Sequence, residues 1–153
     1  MVEEFRVPTQ AIGAEILLAD GSQIRGEIFV AASMATHTGP EHVDEWIEEP
    51  SAFFPFLPEG QTSALVYAKA AVVALSVRIG DGDGEPLPDD TAEHRVILEC
   101  AGSTHEGRVT VDLPSHQRRV LDYMNHERSF VCLVGDGQVH FVRKTAVICV
   151  REP

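Results

Sequence analysis

Short apolar-rich runs separated by turn residues set the rhythm of this chain. Ile16-Leu17-Leu18 is followed by the alternating Gln23-Ile24-Arg25-Gly26-Glu27-Ile28-Phe29-Val30, with Asp20-Gly21 between them. Apolar and polar residues in alternation mark a half-buried strand, and Asp-Gly between two such runs marks a hairpin. The pattern predicts strands over 14–19 and 23–30. The long run 65–77 is interrupted near Lys69, which predicts two strands meeting at a tight corner. Further runs at 95–100, 105–111, 139–142 and 146–150 predict four more strands, with Gly135-Asp136-Gly137 as a hairpin turn. Two segments carry helical spacing instead. Val43, Trp46 and Ile47 fall at i, i+3 and i+4, and Val120, Leu121 and Met124 at i, i+1 and i+4, so each set shares one face of a short helix. Pro50 closes the first, because the residue before a proline avoids the helical region.

These elements occur twice in the same order. Gln23-Ile24-Arg25-Gly26-Glu27-Ile28-Phe29-Val30 recurs as Thr104-His105-Glu106-Gly107-Arg108-Val109-Thr110-Val111, and Ile16-Leu17-Leu18 as Val96-Ile97-Leu98. Val43-Asp44-Glu45-Trp46-Ile47 recurs as Val120-Leu121-Asp122-Tyr123-Met124, and Lys69-Ala70-Ala71-Val72-Val73 as Lys144-Thr145-Ala146-Val147-Ile148. The offset drifts from 81 to 77 to 75, so the second copy is shorter only at loops. This predicts two tandem units, 1–79 and 95–153, joined by an acidic Gly/Pro linker over 80–94. A fused pair often stands where a homodimer would, which predicts a pseudo-twofold interface between the copies.

The order hydrophobic–x–Leu–x–x–Gly–x–x–x–x–Gly–x–hydrophobic, present from Ile16 through Gly21 and Gly26 to Ile28, resembles the first half of the Sm/Lsm signature. The runs from Tyr67 to Val73 and from Val142 to Ile148 resemble its second half. The resemblance extends to uncharacterised bacterial Sm-like proteins and to SH3-like barrels in general. It implies a mainly β fold of two tandem Sm/SH3-like five-stranded barrels; the helical spacing adds to each a short helix inserted between strands 2 and 3, whereas Sm proteins carry theirs in front of the barrel. Glycine at Gly26 and Gly107 suits a strand bent too sharply for a side chain. The Sm RNA site does not carry over. Its Asp-x-x-x-Asn is replaced by Ala31-Ala32-Ser33-Met34, and neither closing run holds the Arg-Gly.

Composition narrows the function classes. The chain of 153 residues is 44% hydrophobic, enough for a core, and no apolar run has the length of a membrane span. Its first residues are acidic where a secretory signal is basic and then apolar, so the chain reads as soluble and cytoplasmic. Cys100, Cys132 and Cys149 are an odd set without CxxC spacing and read as small buried hydrophobes. The net charge of −12 is uneven. Residues 1–80 hold 4 basic and 11 acidic side chains, 81–94 hold 6 acidic and no basic ones, and 95–153 hold 8 basic and 7 acidic. Such acidity repels nucleic acid and anionic membranes, and only the second copy can offer a basic patch.

Candidate chemistry is sparse. Asp81 and Asp83 start like a calcium loop, but Glu85 and Ala92 stand where its later ligands belong. Among seven histidines no pair has HxH or HxxxH spacing, and a divergent metal enzyme would have to use His37, His42 and Glu41. Ser115-His116 and Ser103 with His105 lack a nucleophile elbow. The chain therefore reads as non-catalytic, with no metal or cofactor. Two interaction candidates stand out. The first is the aromatic run Phe53, Phe54 and Phe56, in a strand that Pro55 should confine to a sheet edge because proline cannot donate a ladder bond. Cys132 holds the equivalent position and keeps its N–H, so the second copy should offer the open edge and the first a blunted one. The second candidate is the basic set Arg118, Arg119, Arg128, Arg143 and Lys144, which could converge on a phosphate or an acidic peptide. The expected function is a binding or assembly module acting through protein contacts or self-association. The alternative is anionic-ligand or nucleic-acid binding through the second copy.

Overall fold

The computed structural model describes residues 8–32, 42–79 and 92–153. Among them, ten antiparallel strands form one sheet, accompanied by two short helices. The first half contains β1 (Thr9–Leu18), β2 (Gln23–Ala31), α1 (Val43–Glu48), β3 (Phe53–Pro58), β4 (Leu65–Ala68) and β5 (Val72–Arg78). The second contains β6 (Ala92–Cys100), β7 (Ser103–Val111), α2 (Val120–Met124), β8 (Phe130–Gly135), β9 (Gln138–Arg143) and β10 (Val147–Arg151). One-turn 3-10 corners at Lys69–Ala71 and Lys144–Ala146 lead into β5 and β10. His37, Glu41, Asp81, Asp83 and Glu85, invoked above for metal binding, lie outside the described residues. β6 begins at Ala92, inside the segment expected to be linker, because Glu93 and His94 already pair with Thr110 and Val109.

The sheet runs in the order β10-β6-β7-β8-β9-β5-β1-β2-β3-β4. Each half contributes five adjacent strands in the same order, with its last strand beside its first. The two halves join where β5 pairs with β9, from Ala74 opposite Val142 to Arg78 opposite Gln138. The pairing is that of one continuous open sheet, because the free side of β5 is taken up by the other half. The expected pseudo-twofold seam is corrected here. A twofold would pair like with like, whereas β9 is the counterpart of β4, not of β5. The halves are joined head to tail.

Register corrects the alignment of the repeat as well. In β1 and β2, Ala14 pairs with Gly26 and Ile16 with Ile24; in β6 and β7, Val96 pairs with Gly107 and Leu98 with His105. Ile16 therefore corresponds to Leu98, and both are fully buried. The sequence match of Leu18 with Leu98 fails because the first hairpin loop is longer. Asp20 Oδ1 accepts the Ser22 backbone N–H at 2.9 Å in that loop, and Gly21 takes φ 89°. The bend at Gly26 has a direct cause. A Cβ there would lie 2.1 Å from the Leu57 carbonyl oxygen, and one on Gly107 would lie 3.0 Å from that of Val134. Glycine lets β3 and β8 cross close beneath the bent strands.

Two apolar clusters form the core. One gathers Ile16, Ile28, Val30, Trp46, Phe54, Phe56 and Leu75 of the first half, but also Phe130 and Phe141 of the second. The other gathers Val96, Leu98, Val109, Leu133 and Val142, with Ala74 from the first half. Side chains thus interleave across the seam, and the hydrophobic burial that stabilises each half is shared between them.

Candidate interaction site

The aromatic run divides by face. Phe54 and Phe56 are buried, with the Phe54 ring edge-on to Trp46 at 5.5 Å and the Phe56 ring edge-on to Tyr67 at 5.7 Å. They are core residues, which corrects their assignment to a contact surface; alternation along β3 turns only Phe53 outward. The edge expectation is also corrected. β3 lies between β2 and β4, and β4 is the edge strand. Nor is Cys132 N–H open, since it donates to the Tyr123 hydroxyl at 3.0 Å. Trp46 stands at the position of Tyr123 and Pro55 at that of Cys132. Where the helix offers no hydroxyl acceptor, the strand offers no donor, so neither position leaves that backbone group unpaired.

The basic set does not converge into an open anion site. Lys144 Nζ donates to the carbonyls of Tyr123 at 3.1 Å and His126 at 3.0 Å. The Arg143 guanidinium lies over the Phe130 ring at 4.6 Å, donates to the Val72 carbonyl at 2.9 Å, and also reaches the Lys69 carbonyl. Arg118 Nε donates to the Leu113 carbonyl at 3.1 Å, and Arg119 pairs with Asp122 at 3.1 Å. Burial lowers the pKa of both Arg143 and Lys144, partly offset by the Glu48 carboxylate. These donors close the ends of helices and the seam, which composition alone could not reveal.

Titratable groups otherwise play structural parts. His140 Nδ1 and Ser76 Oγ share a hydrogen bond of 2.6 Å across the seam. His94 Nε2 meets the Arg118 carbonyl at 2.7 Å. Burial pushes the Cys132 thiol up to about 11, which keeps it protonated and unreactive. Cys100 is half-buried, whereas Cys149 is exposed on β10, contrary to the expectation of three buried thiols. His42 and His116 are exposed, and no group of three or more His, Cys, Asp or Glu side chains comes together among the described residues. A shallow groove over β1, β2 and β5 is walled by Glu15, Arg25, Leu57 and Arg78, and the Arg25–Glu15 pair across it is closed at 2.9 Å.

The seam between the halves is held by more than its strand ladder. Besides the β5–β9 ladder, the Glu48 carboxylate accepts the backbone N–H groups of Ser129 at 2.8 Å and Phe130 at 3.0 Å. Asp44 faces Arg128 at 3.9 Å. Phe130 and Phe141 are 3% and 4% exposed there.

The outer ends of the sheet differ in character from the rest of the surface. β4 at one end carries exposed Leu65 and Val66, with exposed Phe53 on the adjacent strand; β10 at the other carries exposed Ile148. Exposed Leu121 stands on α2. Sequence reasoning missed Leu65, Val66, Leu121 and Ile148. A signal was present in consecutive apolar residues with no polar alternation, as in Val147-Ile148-Cys149-Val150. No helix among the described residues is long and apolar enough to cross a membrane. Set beside known protein families, curated proteins and solved structures, the chain finds no match in any of the three.

Proposed function

We propose that this protein is a non-catalytic assembly module built from two small Sm/SH3-like barrels fused edge to edge, acting through protein contacts at the two ends of its sheet. The observation that carries this reading is the concentration of exposed apolar side chains on the terminal strands: Leu65 and Val66 on β4, Ile148 on β10. Unpaired strand edges with apolar side chains are templates for another strand, and monomeric proteins usually blunt them with charge or proline. The repeated strand order and the matching helix between the second and third strands of each half support the two-barrel description. Engagement of Arg118, Arg119, Arg143 and Lys144 with carbonyls and carboxylates weighs against an anion-binding role.

The test is a tagged pull-down from the native cells, eluted with and without nuclease, comparing the native chain with Val66→Glu. Protein companions, this chain's own untagged copies included, that survive nuclease and are lost from the variant bear the reading out. Companions that vanish with nuclease, whatever the residue at 66, overturn it in favour of nucleic-acid binding.

A further inference from the structure

The internal seam has a donor side and an acceptor side, and each has an unoccupied counterpart elsewhere on the same molecule. On the donor side, β9 and the start of β8 bring Phe130 and Phe141 against the first half. Their counterparts, by the repeat, are Phe53 and Val66. Phe130 and Phe141 are 3% and 4% exposed, whereas Phe53 and Val66 are 60% and 72% exposed. On the acceptor side, β5 corresponds to β10. Both strands carry the same irregularity, a register shift after Val72 and after Val147, which makes Val73 the counterpart of Ile148. Val73 is half-buried beside the seam, and Ile148 is exposed.

The neighbouring helix follows the same rule. Asp44 on α1 reaches across the seam to Arg128, and exposed Leu121 holds its place on α2. Glu48 uses one carboxylate oxygen for each N–H; Asn125 holds its place and has a single amide oxygen, which can replace only one of those two acceptor atoms for the equivalent N–H groups, those of Ala52 and Phe53. Five of the six large apolar side chains exposed among the described residues are thereby accounted for: Phe53, Leu65 and Val66 on the donor side, Leu121 and Ile148 on the acceptor side.

We propose that the partner of these edges is a second copy of this chain, with β4 of one molecule pairing antiparallel to β10 of the next and repeating the β5–β9 seam between molecules. This deepens the assembly reading and rests on it. Carrying over the internal register places Tyr67 opposite Cys149, Val66 opposite Val150 and Leu65 opposite Arg151. The clamp made by Arg143 has no counterpart, since Ala68 stands in its place. The intermolecular seam therefore relies on the backbone ladder and apolar burial, and it tolerates salt. The contact is heterologous. Each molecule keeps one free edge of each kind after pairing, so association continues until the row of molecules closes on itself or extends as a chain.

Complementary variants test this. Val66→Glu spoils the donor edge and Ile148→Glu the acceptor edge, both at exposed positions where folding should be unaffected, verified by circular dichroism. Multi-angle light scattering should give the native chain a mass well above the 16.7 kDa monomer and each variant alone the monomer mass. An equimolar mixture of the two variants should form a one-to-one dimer, because each supplies the edge the other lacks. A like-with-like interface could not be restored by mixing, so folded variants that stay monomeric when mixed overturn the proposal, as does a monomeric native chain. If the native chain is monomeric yet its pull-down companions still depend on Val66, the choice of partner fails while the assembly reading stands. If those companions are also indifferent to Val66, both fail.

Discussion

Lys69 and Lys144 do the same work in the two halves. Lys69 Nζ lies 5.4 Å from the Trp46 ring centroid and donates to the carbonyls of Trp46 at 3.2 Å and Glu49 at 2.7 Å. Lys144 Nζ lies 5.4 Å from the Tyr123 ring centroid and donates to the carbonyls of Tyr123 and His126. Each ammonium closes the C-terminal end of a helix too short to be stable alone, where orphan carbonyls and the helix dipole favour a cation.

Replacing Lys69 with methionine should therefore cost about 1–3 kcal/mol, the range for leaving buried acceptors unpaired. Lys144→Met should cost less, because Lys144 is only half-buried and water can take its place. Urea unfolding of the two variants checks the order. Equal losses would show that the carbonyls of α1 are as accessible as those of α2.

Phe54→Ala should destabilise by about 3–5 kcal/mol, as for other fully packed aromatics, and Phe54→Asp by at least as much. Phe53→Asp, one residue away on the opposite face, should change the unfolding of dilute protein by only about 0.5 kcal/mol. Denaturant midpoints of both variants check this, and similar losses would refute the division of the strand into faces.

Gly26→Ala should cost about 1–3 kcal/mol, because a methyl group 2.1 Å from the Leu57 carbonyl oxygen forces β3 to move. Gly107→Ala, with its nearest atom at 3.0 Å, should cost less. Thermal melts of the pair would settle the order.

Tyr123→Phe removes the acceptor for Cys132 N–H and should cost about 1–3 kcal/mol. Amide exchange at Cys132 should speed up in this variant beyond the change at its neighbours. Unaltered relative protection would mean that the hydroxyl is not its partner.

Burial holds the pKa of His140 below its ordinary value, and burial followed by the nearby His140 does the same for His105. The unfolded chain then binds protons more readily than the folded one. Stability is fully present above the ordinary histidine value of about 6.5 and falls as pH drops through that value toward the lower folded ones. Urea midpoints measured from neutral to mildly acidic pH should decline, and His140→Gln should flatten the decline. A midpoint rising on acidification would reverse the sign and sink the argument.

Much of the local structure was legible in the residues. The alternation at Gln23–Ala31 gives β2, the interruption at Lys69 gives the corner between β4 and β5, and the spacing of Val43, Trp46 and Ile47 gives α1. The candidate site was legible only in part. Phe53 emerged at the surface, but Phe54 and Phe56 entered the core. Arg143 and Lys144 proved to be fasteners of the seam and of a helix end.

Period-two alternation, helical spacing and turn chemistry are properties of neighbours in the chain, so the order of strands and helices and its duplication could be read from the residues alone. Which strand meets which is a property of the whole sheet. Only the tertiary structure could show β5 joined to β9 rather than to its own counterpart, because that choice depends on the packing of Phe130 and Phe141 more than 50 residues away from β5. The same packing decides which apolar side chains are left outside. Phe53 and Phe130 are identical residues at equivalent positions, and only one of them has a neighbour to cover it.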